Sequence, residues 1–260
     1  MSKITIVTAT YKRPDILYRC LLGVHNQTFQ DFAHIVVGDN CPYAEAVYNL
    51  FQEEYQDKRV SFYNLTHKEA DEDQQRDFQG TGPSQKGLEL AESEWICYCN
   101  DDHIFLPNHL QTLDTLIQDN IDMLVGYTSK LDVHVNNMRE ICKRPLYDPS
   151  NAIINNRFFD TNVLLHNVEY GLKVGGWISA CTTPDANDNN FIKRLGEWGE
   201  TSIHSTIITG ICFRYKSPTI KWGQFNEKNW SENTYAQDLE DKPQDQIFVY
   251  PELKPGSNKW

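Results

Sequence analysis

The run Asn100-Asp101-Asp102-His103 follows directly on the apolar stretch Trp95-Ile96-Cys97-Tyr98-Cys99. Two adjacent carboxylates at the end of a buried strand repel each other unless something compensates. A hard divalent cation bound by oxygen ligands and substrate phosphates would do so. The same residues also read as a solvated turn, with acids ahead of the helix that Pro107-Asn108-His109-Leu110 begins. Two other apolar runs end in polar residues. Ile4-Thr5-Ile6-Val7 leads into Thr8-Ala9-Thr10-Tyr11-Lys12-Arg13, and Ile35-Val36-Val37 into Gly38-Asp39-Asn40. In open α/β sheets ligands bind beyond the carboxyl ends of the strands, so these three ends outline one candidate pocket. No GxGxxG follows the first run and no P-loop is present, which argues against a dinucleotide-dependent dehydrogenase.

The elements that must hold these residues alternate between strand and helix. The β-branched run at 4–7 reads as a buried first strand. Pro14 opens a helix, as Pro is tolerated in a first turn, and Ile16, Leu17, Cys20, Leu21 and Val24 share one face of it. Residues 35–37 give a second strand, 44–56 a helix and 60–63 a short strand. Residues 68–82 read as an acidic loop, 84–91 as a helix and 95–99 as a strand. Such alternation predicts an α/β fold with a mostly parallel central sheet and helices on both faces. The second half is less regular, with strand-like runs at 121–125, 163–165 and 206–215 and a helical one at 189–195. From Trp230 onward the chain is polar, acidic and punctuated by Pro. The expected organisation is a domain over 1–229, split into halves at 1–110 and 111–229, with a C-terminal arm or tail over 230–260.

With 24 Lys and Arg against 36 Asp and Glu, the formal charge of −12 disfavours sequence-independent nucleic-acid binding. A small cationic pocket for one diphosphate remains compatible with it. Seven cysteines without a CxxC pair fit a reducing compartment better than a disulfide framework. The chain enters a strand pattern at once, with no signal-peptide pattern and no run of the ~18 apolar residues that a membrane span requires. A cytoplasmic protein is expected, with room for peripheral membrane contact.

Residues 99–110, CysAsnAspAspHisIlePheLeuProAsnHisLeu, closely resemble the Asp-rich signature of family 2 glycosyltransferases with the GT-A fold. The likeness is to bacterial polysaccharide-type nucleotide-sugar transferases. It extends to TyrLysArgPro after the first strand, to AspAsn after the second, and to GlyProSerGlnLysGlyLeuGluLeuAla before the aspartates. It returns at Gly175-Gly176-Trp177, at Asn187-Asp188 and at Phe191-Ile192-Lys193-Arg194-Leu195. The resemblance covers about residues 3–195 and rests on the order of several loose motifs.

It implies an inverting transfer of a sugar from a nucleotide-diphosphate donor, UDP-sugar favoured, to a hydroxyl of a glycan or glycoconjugate. Tyr11 would stack on the nucleobase and Asp39 accept a hydrogen bond from it. Thr8 and Arg13 would line the same pocket, with Lys86 also on the donor. Asp101 would hold ribose and Asp102 coordinate Mn2+ or Mg2+ against the diphosphate. Asp188, at a helix start, would be the catalytic base, with Asp185 the fallback. Asp160 and Trp177 are the acceptor-side candidates.

The chain departs from the family pattern at Asn100, at Ser84-Gln85-Lys86, at Asn187 and at Lys216, where a metal-completing His would be expected; His204 is the nearby histidine. Asn100 and Lys216 support a second reading, a degenerate sugar-nucleotide or glycan-binding module. A third, a nucleotidyltransferase on a related fold, lacks the Gly-rich loop it would need after the first strand.

Overall fold

Strand β1 (Ile4–Thr10) is β-branched at every position but Ala9 and buried along its whole length. That burial places it at the centre of a sheet rather than at an edge. The structure is a computed structural model and describes residues 2–11, 13–66, 80–120, 124–134, 141–142, 161–177, 188–198 and 202–214. The expected arm at 230–260, together with Asp160, Asp185, Asn187 and Lys216, lies outside the described residues.

After β1 come α1 (Pro14–His25), β2 (Phe32–Gly38), α2 (Ala44–Tyr55), β3 (Val60–Asn64), α3 (Thr81–Leu90) and β4 (Trp95–Tyr98). The second half adds β5 (His103–Phe105), α4 (His109–Asp119), β6 (Val125–His134) and β7 (Ile141–Cys142). A 3-10 turn (Thr161–Val163), β8 (Leu164–Asn167), α5 (Val168–Lys173), α6 (Asp188–Trp198) and β9 (Ser202–Arg214) complete the described elements. The strand order is β3-β2-β1-β4-β8-β6-β9-β5, with β7 beside β6. Pairing is parallel from β3 to β4 and again between β6 and β9, while β8 runs antiparallel to both of its neighbours.

The period of two along β1 sends its side chains to two cores. Ile4 and Ile6 pack with Cys20 and Val24 of α1 and Leu110 and Leu113 of α4. Val7 faces the other way, toward Leu88 of α3, Val168 and Tyr170 of α5, and Phe191 and Leu195 of α6. Helices therefore cover both faces, as the alternating pattern predicts. On α3, a Cβ at Gly87 would stand 2.3 Å from a Val7 methyl, so this helix lies on the sheet only because position 87 has no side chain. No helix among the described residues is long and apolar enough to cross a membrane.

Three elements differ from the sequence reading. Helix α3 starts at Thr81, three residues early, because Gly80 takes a left-handed φ of 77° and turns the chain into it. Strand β6 runs ten residues, and its Gly-Tyr-Thr-Ser-Lys stretch carries no apolar alternation to announce it. Strand β5 is too short to be seen inside the Asp-rich run; it exists by pairing with β9 through His103 and Cys212.

At the amino-terminal edge of the sheet a charged cluster joins α1 to the start of β3. The Asp57 carboxylate meets His25 Nδ1 at 2.6 Å and is gripped by Arg59 through Nε at 2.8 Å and Nη2 at 2.6 Å. Burial alone would raise the Asp57 pKa. The hydrogen bonds from His25 and Arg59 outweigh it and hold the carboxyl far below its usual range. A depressed carboxylate pKa contributes stability above the unfolded-state value of about 3.9, and that contribution is lost as pH falls through the folded-state value. Asp57→Ala is expected to lower unfolding free energy by about 3 kcal/mol at neutral pH, since it leaves Arg59 without its buried partner. Urea unfolding measured at pH 7 and at decreasing pH should show the wild-type advantage shrinking only in the acid range. A gap constant with pH would mean that the loss is one of packing.

Candidate active site

Beyond Tyr98 the chain makes one more strand bond, Cys99 N–H to Val7 O at 2.9 Å, and then turns. The His103 N–H closes that turn on Asn100 O at 2.9 Å, which makes Asp101 and Asp102 its two central residues. A turn suits Asp there, because its short polar side chain needs no helix or sheet partner. The Asn100 N–H is held by the side-chain oxygen of Asn162, from the buried 3-10 turn ahead of β8. Asn100 thus supports the turn through its backbone.

The two carboxylates have different surroundings. Asp101 is buried; its Oδ2 accepts from Thr10 Oγ1 at 2.9 Å and its Oδ1 from Arg13 Nη1 at 3.1 Å. Burial raises its pKa, Arg13 opposes that rise and Asp102 adds to it. The Asp102 side chain is 26% exposed, with Oδ2 3.6 Å from Arg13 Nη1 and Oδ1 2.6 Å from His103 Nδ1. Arg13 sits at the N-cap of α1, where Pro14 begins the helix, so the end of β1 and the end of β4 meet across one guanidinium.

Asp39 joins the same edge. Its N–H donates to Thr10 O at 2.9 Å, and Asn40 leaves β2 in a left-handed conformation (φ 49°). Asn64, at the end of β3, brackets Cys41 by accepting its N–H at 2.9 Å and donating to its carbonyl at 3.2 Å. Tyr11 leans partly buried on the cluster between α1 and α2. The carboxyl ends of β1, β2 and β4 therefore bring together Tyr11, Arg13, Asp39, Asp101 and Asp102.

Other expected residues lie elsewhere. Thr8 does not reach this edge: it is fully buried one pleat deeper, with Oγ1 2.8 Å from His34 Nε2, and Thr10 holds the outer position. The Lys86 ammonium lies over the Tyr63 ring at 4.6 Å, on the β3 side of the sheet. Trp177 is 2% exposed and offers no face to a sugar, which corrects its reading as an acceptor platform. Its Nε1–H donates to Tyr98 Oη at 3.0 Å, and Tyr98 Oη lies 3.0 Å from His166 Nε2. His166 Nδ1 faces the Asn167 carbonyl at 2.8 Å, and a carbonyl can only accept. The proton is therefore on Nδ1, and the Tyr98 hydroxyl donates to Nε2. Burial keeps this imidazole neutral, its pKa lowered to about 4. Asp188 is the first residue of α6.

Sequence reasoning gave no role to Thr10, His103 or Asn162. Each contacts a neighbouring residue of this edge, and nothing in a residue's type announces that. Among the described residues no group of three or more His, Cys, Asp or Glu could hold a metal ion. What the edge offers a cation is the partly exposed carboxylate of Asp102. That donor suits Mg2+ or Mn2+, which take one or two protein carboxylates and complete their shell with water and substrate phosphate.

Residues 5–161, more than half of the chain, match the family model described as Glycosyl transferase family 2. An uncharacterised glycosyltransferase of Methanocaldococcus jannaschii is 28% identical over 141 residues, which are 53% of this chain and 45% of that protein. The chain spans less than half the length of the curated relatives it matches. Among solved structures, S. aureus TarS 1–349 in complex with UDP-GlcNAc aligns with a TM-score of 0.63 at 15% identity, over 83% of this chain and 60% of that one. The mannosyltransferase PcManGT from Pyrobaculum calidifontis, in complex with GDP-Man and Mn2+, aligns at 0.60 and 14% identity, over 93% of this chain and 65% of that one. At such identities the likeness establishes the fold, which is GT-A.

Proposed function

The chain belongs to glycosyl transferase family 2, and from that premise we propose that it is an inverting, metal-dependent glycosyltransferase. Its donor is a nucleotide-diphosphate sugar, UDP-sugar favoured, and its acceptor a hydroxyl of a glycan or glycoconjugate. The observation that carries the reading is the divided pair at the end of β4. Asp101 is buried and fixed by Thr10 and Arg13, while Asp102 keeps an exposed face. One carboxylate is built as a rigid anchor suited to ribose hydroxyls, the other as a cation donor.

Asp102 would hold Mn2+ or Mg2+ together with the diphosphate, and the ion would neutralise charge on the leaving group. The chain's own residues do the rest. Tyr11 and Asp39 flank the base, and Arg13 is placed to turn from the carboxylates to a phosphate. Asp188 takes the proton of the attacking hydroxyl, which enters opposite the leaving group. Asp160, Lys86 and Asp185 stay secondary candidates on the acceptor side, the donor and the base respectively. Cys20, Cys41, Cys97 and Cys99 are free thiols, which supports a cytoplasmic setting.

Calorimetric titration of UDP, dTDP and GDP, with Mn2+ and with chelator, tests the reading. Metal-dependent binding of one nucleotide is expected, UDP first. No binding of any of the three would leave the fold without the chemistry, as in a degenerate module.

A further inference from the structure

The turn that closes α5 is held from three directions. Its two glycines take left-handed φ values, 94° at Gly175 and 57° at Gly176, and their N–H groups return to Leu172 O and Gly171 O at 3.0 Å each. From the sheet, the Trp177 indole is fixed by Tyr98 of β4. From α3, Gln85 Oε1 accepts the Trp177 N–H at 2.8 Å. A Cβ at Gly176 would stand 2.3 Å from that same oxygen, so the contact requires glycine. From α6, the Arg194 guanidinium donates to Val174 O and, at 2.6 Å, to Gly176 O, while its Nε donates to Asn190 O of its own helix at 3.2 Å.

Arg194 is thus a bolt between α6 and the Gly175-Gly176-Trp177 turn. Val174 O is the C-cap carbonyl of α5, left without a partner within the helix where a cation is favoured, and Gly176 O belongs to the turn beyond it. A planar fork fixes position in a way that a single ammonium does not. Phe191, one turn earlier on α6, backs the arrangement by packing on Trp177 with ring centroids 4.7 Å apart. Through Trp177 and Tyr98 the bolt refers to β4, the strand whose outer end carries Asp101 and Asp102. Asp188 heads the same helix six residues before Arg194, about 9 Å along the axis at 1.5 Å per residue.

We propose that Arg194 is a positioning residue: by fastening α6 to the Gly175-Gly176-Trp177 turn it sets the base Asp188 against the donor held at the end of β4. The inference rests on the transferase reading above. It assigns Arg194 no contact with substrate. Misplacement of a reacting group by about 1 Å costs about 10²-fold in rate, so the signature is a loss in kcat with donor affinity preserved.

The test uses the full chain with Mn2+ and saturating donor, with transfer or donor hydrolysis as readout, alongside nucleotide titration and thermal unfolding. Arg194→Lys is expected to lower kcat by about 10²-fold while nucleotide affinity stays within about twofold. In Arg194→Ala, added ethylguanidinium should restore turnover, and it should do nothing for Asp188→Asn. Unchanged kcat, a parallel fall in nucleotide affinity, or failure of rescue overturns the inference. Should the Arg194 variants not fold, Gln85→Met loosens the same turn from α3 and is held to the same split between kcat and affinity. A wild-type chain that turns over no donor would instead sink the transferase reading itself, which separates the two failures.

Discussion

Asp188→Asn should abolish sugar transfer, lowering kcat by about 10²–10⁴-fold, while UDP titrated in Mn2+ binds as it does to wild type. That range is what a positioned general base contributes. The substitution keeps shape but replaces the basic carboxylate with an amide too weakly basic to take the proton, so α6 should still begin at residue 188. Single-turnover assays with labelled donor, paired with calorimetry, separate chemistry from binding. Parallel loss of binding and transfer would reassign Asp188 to holding the helix, and Asp185→Asn would then be the variant to examine for the base.

Asp102→Ala should act on the donor instead. In Mn2+ its nucleotide affinity is expected to fall by about 10- to 100-fold, the scale of one charge-assisted contact worth 1.5–3 kcal/mol. In chelator, wild type and variant should bind alike. The neighbouring position provides the contrast. Asp101 is fastened to Thr10 and Arg13 within the protein, so Asp101→Ala should weaken binding with and without metal. An affinity for Asp102→Ala that is unchanged in Mn2+ would remove Asp102 from the metal assignment.

How much of this was legible beforehand follows from where the information sits. β1, β2 and β4 announce themselves because central parallel strands are apolar on both faces, and their polar ends stand out by contrast. Asp39, Asp101 and Asp102 could therefore be placed on one edge from the sequence. The same reasoning places Thr8 there too. A run of seven strand residues does not say where the sheet's surface begins, and the hydroxyl two positions later is the one that reaches the edge. Trp177 shows the converse limit, since an indole suits a sugar face and a core equally well. Only the packing against Tyr98 and Phe191 decides between them. The positioning residues Asn162 and Gln85 were invisible because each acts on backbone groups 62 and 92 residues away in the chain.

One feature of the sheet bears on how such a chain can change. Between β3, β2, β1 and β4 and the strands of the second half, the described residues provide one strand-to-strand bridge, β8, antiparallel to β4 on one side and to β6 on the other. An antiparallel strand inserted between two parallel-running blocks is a seam. Segments grafted beyond it leave the register of β3, β2, β1 and β4 untouched. A designer wanting a new acceptor should exchange sequence after Asn167 and retain Trp177, whose backbone N–H and indole are held across the seam by Gln85 and Tyr98.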